Sequence, residues 1–226
     1  MATQAPEPTV VGPATDNADD LTPFPLVGPL RLKLAALGVD GSAPDFGEKL
    51  CLLSRDNECY EFEYSAKGEL IIMPPVGAEG SHGEQGINYA VYGWGLENPG
   101  RTYPQTSLFR LPSGAQYMPD AAWISQERFD NLTALEQRGS INGAPDFVIE
   151  LHSRSDSLRA GLAKMQEWMD AGARMGWYIH PYRRRVYVYR AGREVEVLEN
   201  PETLSGEDLM PGFVLEVRRL IFDRYE

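Results

Sequence analysis

The stretch from Pro145 to Ser153, PDFVIELHS, constrains the fold of this chain more than any other. Phe147, Val148, Ile149 and Leu151 make a short apolar run with β-branched members, which reads as a buried strand. Side chains alternate faces along a strand. Asp146, Val148, Glu150 and His152 therefore point one way, and Phe147, Ile149 and Leu151 the other. A buried carboxylate without a partner is costly. A cation, a hydrogen-bond donor or a metal ion has to meet the ionisable face.

The 226 residues are enough for one good-sized domain with a real core. No apolar run is long enough to span a membrane. The N-terminus lacks a basic segment followed by an apolar one, so no signal peptide is expected. Cys51 and Cys59 form no zinc-ligand spacing, and a reducing cytoplasm is the expected location. The net charge of −12 argues against nonspecific coating of nucleic acid. A metal-dependent site tolerates such acidity, because its carboxylates count as negative only until the cation binds.

Residues 1–30 carry Glu7, Asp16, Asp19 and Asp20 but no Lys or Arg, and read as a flexible or extended arm. Residues 31–226 read as a single domain. ECYEFEYSAKGELIIMPP (58–75) predicts a hairpin turning at Ala66–Gly68. Residues 80–100 predict a helix ended by Asn98-Pro99-Gly100. Strands are expected around a turn at Pro112–Gly114, then a short helix or ordered loop at 126–137. After the opening strand, SDSLRAGLAKMQEWMDAGARMG predicts a helix capped by Ser155 or Asp156 and closed by Gly172. Leu158, Leu162, Met165 and Met169 form its apolar stripe. GWYIHP, RRVYVYR, EVEVLE and LMPGFVLEV (209–217) predict four more strands. This order gives a mixed sheet with helices, α/β or α+β.

MPDAAWIS, followed by APDFVIELHSRSDSLRAGLAKMQEWMDAGARMGWYIHPYRRRVYVYR, resembles a bacterial family described as "putative restriction endonuclease" and long filed as a domain of unknown function. That family belongs to the PD-(D/E)XK nuclease superfamily. The resemblance runs from about Tyr60 to Phe213, with GELIIMPP and LSGEDLMPGF in matching order. It implies a restriction-endonuclease-like core, a central mixed sheet flanked by helices with extra β-hairpins. It further implies a Mg²⁺- or Mn²⁺-dependent endonuclease acting on nucleic acid, DNA in the first place.

Within that resemblance Asp120 and Glu150 are the metal-holding and catalytic carboxylates. Two carboxylates on adjacent strands can hold Mg²⁺ together with a backbone carbonyl and waters. The superfamily's lysine would stand two residues after Glu150, where this chain has His152. Lys164 on the following helix is the replacement cation the family points to, and His152 could serve in part as a proton carrier.

Each candidate also has a plain structural alternative. Asp120 could end a turn after Pro119, Lys164 could be a solvated charge, and His152 could be a satisfied sheet histidine. Glu84 is a third metal carboxylate or, in Ser81-His82-Gly83-Glu84, half of a capping box. Asp146 reads as structural, through turn hydrogen bonds. YRRRVYVYRAGR (182–193) holds five arginines, either a phosphate-facing stripe or a hairpin with a charged turn. His82 and His180 have no assignment.

GxSxG, Walker and GxGxxG motifs are all absent from the sequence, and neither cysteine has a convincing histidine partner. Two carboxylates could serve a glycosidase, but nothing else in the chain supports sugar recognition. The alternative from another class is a nuclease-fold binding or assembly module without catalysis. A homodimer is left open, since cutting both strands often uses two copies. The arm, residues 1–30, has almost no apolar periodicity, so truncation to Leu30 should leave the melting temperature within a few degrees. Loss of soluble expression on truncation would contradict the division between arm and domain.

Overall fold

The computed structural model describes residues 28–43, 45–57, 60–75 and 77–225. The arm lies outside them up to residue 27, as does Cys59. In chain order the strands are β1 (Leu30–Lys33), β2 (Glu61–Tyr64), β3 (Glu69–Met73), β4 (Arg101–Pro104), β5 (Phe109–Arg110), β6 (Gln116–Tyr117) and β7 (Ala121–Ile124). They continue as β8 (Ile141–Asn142), β9 (Phe147–Leu151), β10 (Met175–His180), β11 (Arg185–Arg190), β12 (Glu196–Glu199), β13 (Leu204–Ser205) and β14 (Val214–Leu215). The α-helices are α1 (Phe46–Asp56), α2 (Ala78–Gly95), α3 (Gln126–Asp130), α4 (Leu158–Asp170) and α5 (Val217–Leu220).

The central sheet has the order β12-β11-β10-β9-β7-β4. β9 and β10 are parallel and joined by α4, while its other neighbours are antiparallel. This is the mixed α+β fold expected. The apolar run of the opening strand explains its place: β9 is buried along its whole length. Phe147, Ile149 and Leu151 share a core with Ile87 and Val91 of α2 and with Trp177. Val148 packs on the opposite face, with Met165 and Trp168 of α4.

The α4 helix follows its stripe with two differences. Ser157 caps it, the hydroxyl accepting from the Ala160 amide, whereas Asp156 turns back to accept from the Ser153 amide at 2.8 Å. Trp168 joins Leu158 and Met165 in full burial, and Leu162 and Met169 are only partly covered. Gly172, at φ +103°, follows the helix end as its sequence position requires.

The second sheet runs β1-β3-β2-β6-β5-β8. The β2–β3 hairpin turns through Gly68 at φ +78°, and β5 and β6 flank Gly114 at φ +86°. Leu30, at the expected boundary between arm and domain, already pairs with Ile72 in this sheet. Phe62 faces the cluster formed with Phe46 and Leu50 of α1, so the adjacent Glu63 faces the other way, toward α4. The chain passes from the second sheet into the central one over Met118, Pro119 and Asp120, between β6 and β7. The strand expected at 209–217 is reduced to the two residues of β14, because Pro211 lacks an amide and Gly212 turns the chain at φ +76°.

Gly161 shows how tightly α4 lies on the sheet. A Cβ there would stand 2.2 Å from the Tyr178 hydroxyl and 2.4 Å from its ring. Alanine normally stabilises a helix interior relative to glycine. Here overpacking should reverse the sign, with Gly161→Ala costing about 1–3 kcal/mol. The melting temperature should fall by about 2–10 °C; an unchanged or raised value would mean that α4 is free to lift from Tyr178.

Candidate functional site

Pairing places the carboxylates. Ala121 is opposite Ile149 in the antiparallel β7–β9 pair, so the residue before one and the residue after the other, Asp120 and Glu150, meet on one side of the sheet. The Leu151 amide donates to Asp120 Oδ2, which ties that carboxylate to the end of β9. Glu150 is only 7 % exposed and takes two donors, the Trp168 indole N–H at 2.8 Å and the Lys164 ammonium at 3.0 Å.

Lys164 extends from α4 into the space between the two sheets. Its Nζ donates to Glu63 Oε1 at 2.9 Å and to the Met118 carbonyl at 3.3 Å, in addition to Glu150. The Tyr117 ring lies 5.3 Å from it. Glu63 also accepts from the Met118 amide at 2.8 Å. The position at the edge of the apolar stripe thus lets the long stem lie along the core while the ammonium finds carboxylates.

The charges on this face are strongly coupled. Burial pushes the Glu150 carboxyl up to about 7; Lys164 and Trp168 oppose that rise and Glu63 adds to it. Burial, then Glu61, Asp156 and Glu150, push Glu84 to about 7 as well. Asp120 is held well above the usual carboxylate range by burial and by the Glu150 and Glu84 charges. Burial works against the charge on Lys164, but Glu150 and Glu63 outweigh it and hold the ammonium well above its ordinary value.

Glu84 is not part of a capping box. The α2 helix starts at Ala78, directly after Gly77, and the Ser81 amide is already bonded to the Gly77 carbonyl at 3.0 Å. Ser81 therefore lies within the helix. The half-buried Glu84 carboxylate accepts no hydrogen bond among the described residues and lies within electrostatic reach of Asp120 and Glu150.

His152 stands beside the site. Its Nδ1 is 2.7 Å from the Tyr178 hydroxyl, and its ring stacks on His180 at 4.0 Å between centroids. Burial, then His152 and Arg183, push His180 down to about 3, so it is neutral, with its Nδ1 accepting from the Arg183 amide. Asp146 is structural, accepting from the Ser125 amide at 2.8 Å with Arg128 at 3.9 Å. His82 is exposed on α2.

Of the arginines of 182–193, Arg184 pairs with Asp223, Arg185 with Glu199, and Arg190 with Glu196 and Glu207, as a hairpin with a charged turn would have it.

Two contributors are invisible in a one-strand reading. EFEY alternates like a half-exposed strand, and only the second sheet's packing on α4 buries Glu63 to 2 % exposure. Trp168 could have been found, since it follows Lys164 by four residues and so shares its side of the helix.

The structure thus brings Asp120 and Glu150, at the ends of adjacent central strands, to one face of a mixed sheet with a lysine from the crossing helix. The pattern of the Uma2 family, described as "Putative restriction endonuclease", matches residues 43–218, and the chain belongs to that family. The match is wider than the stretch from Tyr60 to Phe213 over which the motifs run. A solved structure, that of a "putative nuclease belonging to DUF820 from Anabaena variabilis", is similar at a TM-score of 0.61 and 22% identity, covering 73% of this chain and 90% of that one. No curated protein matches the sequence. No helix among the described residues is long and apolar enough to cross a membrane.

The raised Glu84 carboxyl gives a pH test with a defined sign. Its folded-state pKa of about 7 lies above the usual carboxylate value, so the folded protein takes up this proton more readily than the unfolded chain. That contribution to stability is complete below about pH 4 and is lost as pH rises through about 7. Glu84→Gln never acquires the charge. In EDTA the variant should melt with the wild type near pH 5 and above it at pH 8. Solvent screening of a half-buried group reduces the difference to about 1 kcal/mol, or a few degrees. Parallel curves across this range would contradict the electrostatic coupling.

Proposed function

We propose that the protein is a metal-dependent endonuclease of the PD-(D/E)XK type, hydrolysing phosphodiester bonds in nucleic acid, DNA first. The observation that carries this reading is the half-buried Lys164 ammonium on Glu150, on the same face of the sheet as Asp120. The strand position of the superfamily's lysine is filled by His152, and the helix supplies the cation.

The donor set fits a hard divalent ion in kind. Asp120, Glu150 and Glu84 are oxygen donors, and each is held protonated more readily than usual by burial and by neighbouring negative charge. Among the described residues no group of three or more His, Cys, Asp or Glu side chains already encloses a metal position. Asp120 and Glu150 would hold Mg²⁺ or Mn²⁺, with Glu84 as support and waters or a carbonyl completing the shell. When bound, the ion would lower the pKa of its water and offset charge on the phosphate.

The chain's own groups do the rest. Lys164 donates to a phosphate oxygen or orients the attacking water, and stabilises negative charge as it develops. His152, whose ring contacts Tyr178, would serve in part as a proton carrier. Trp168 keeps Glu150 oriented by occupying one of its oxygens.

Plasmid nicking in Mn²⁺, with a labelled RNA in parallel and calorimetric Mn²⁺ titration, tests the reading. Asp120→Asn and Glu150→Gln should abolish nicking and weaken Mn²⁺ binding. Lys164→Met should lower nicking by about 100-fold with Mn²⁺ binding retained, and His152→Ala should cost less. If His152→Ala abolishes nicking while Lys164→Met is silent, the two roles are reversed. A wild type that neither binds Mn²⁺ nor cuts either nucleic acid would leave a nuclease-fold binding or assembly module instead.

A further inference from the structure

We infer that Glu63, from the second sheet, is a positioning residue for the reaction, acting through Lys164; the inference rests on the nuclease reading above. An ammonium has three hydrogens to donate. Lys164 has all three engaged, with Glu63 at 2.9 Å, Glu150 at 3.0 Å and the Met118 carbonyl at 3.3 Å. Two of these three partners belong to one unit, because the Met118 amide donates back to the Glu63 oxygen that Lys164 uses.

This arrangement does more than neutralise a charge. Glu150 alone would suffice to pair one ammonium. Glu63 is a second, nearly inaccessible carboxylate placed against the same nitrogen from a different sheet. The cluster sets two carboxyl groups against one ammonium, and the Met118 amide adds a further donor to Glu63. Lys164 can reach a substrate oxygen only by giving up one of its bonds. The bond to the Met118 carbonyl is the longest of the three and has the least to lose. Glu63 and Glu150 then hold the nitrogen from two sides while its third hydrogen is offered to the phosphate or water. A neutral acceptor at position 63 would hold the same hydrogen bond less firmly, since charge-assisted bonds are about twice as strong.

A double-mutant cycle over Glu63→Gln and Lys164→Met separates positioning from a purely structural role. Glutamine keeps the shape and can still accept from Met118. Nicking should slow by about tenfold for Glu63→Gln alone and by less than about twofold in the Lys164→Met background, because nothing is left to position. KM for the plasmid should be unchanged, with the loss in kcat. Melting temperatures give a readout independent of cutting. Glu63→Gln should lower stability when Lys164 is present and raise it in the Lys164→Met background, where it removes an unpaired buried charge.

Equal slowing on both backgrounds would overturn the inference and leave the nuclease reading intact. Additive melting shifts would overturn it too, since they would show that the two side chains do not interact. Lys164→Met cutting like the wild type, or a wild type that never cuts, would remove the lysine's role and Glu63's with it.

Discussion

The ammonium of Lys164 between Glu63 and Glu150 is the contact on which the rest of this structure turns. It is a half-buried cation that joins three elements: a strand of the central sheet, a strand of the second sheet and the helix α4 that carries it. Charges in such a place are favourable only as a set, because removing one partner strands the others away from water. The apolar work is done around it. Trp168 packs edge-on to Phe109 and Tyr117 of the second sheet while its N–H holds Glu150, so the same side chain serves the core and the polar cluster.

Most of the fold was legible because local rules agreed with the global arrangement. The opening strand announced itself by its apolar run, the hairpins by Gly68 and Gly114, and α4 by its stripe. The errors arose where a local pattern had two solutions. Ser81-x-x-Glu84 has the spacing of a capping box, but the helix begins three residues earlier, so the spacing carried no cap. The stretch 209–217 is apolar enough for a strand, yet Pro211-Gly212 converts most of it into a turn.

The candidate site divides in the same way. Asp120, Glu150 and Lys164 were named by the resemblance to the nuclease family, and the structure brings the three to one face. Glu63 could not be read from its own segment. Its burial is a property of sheet-on-helix packing between residues 101 positions apart, and no short-range pattern encodes that distance. Three of the five arginines of 182–193 illustrate the opposite case, an evident pattern with an ordinary outcome. In a chain of net charge −12, carboxylates were at hand to pair with Arg184, Arg185 and Arg190.

The three-residue passage from β6 to β7 has a mechanical meaning. Met118 touches Lys164 with its carbonyl and Glu63 with its amide, and two residues later Asp120 enters the carboxylate face. The chain is therefore under one constraint at both ends of this span: the seating of the second sheet and the placement of Asp120 cannot vary separately. Any loosening of the β2–β3 hairpin is transmitted to the lysine through Glu63 and to the aspartate through the backbone. The site is consequently a reporter of how the two sheets are docked, and it exists as a unit only in a chain whose segments 101 residues apart have already come together.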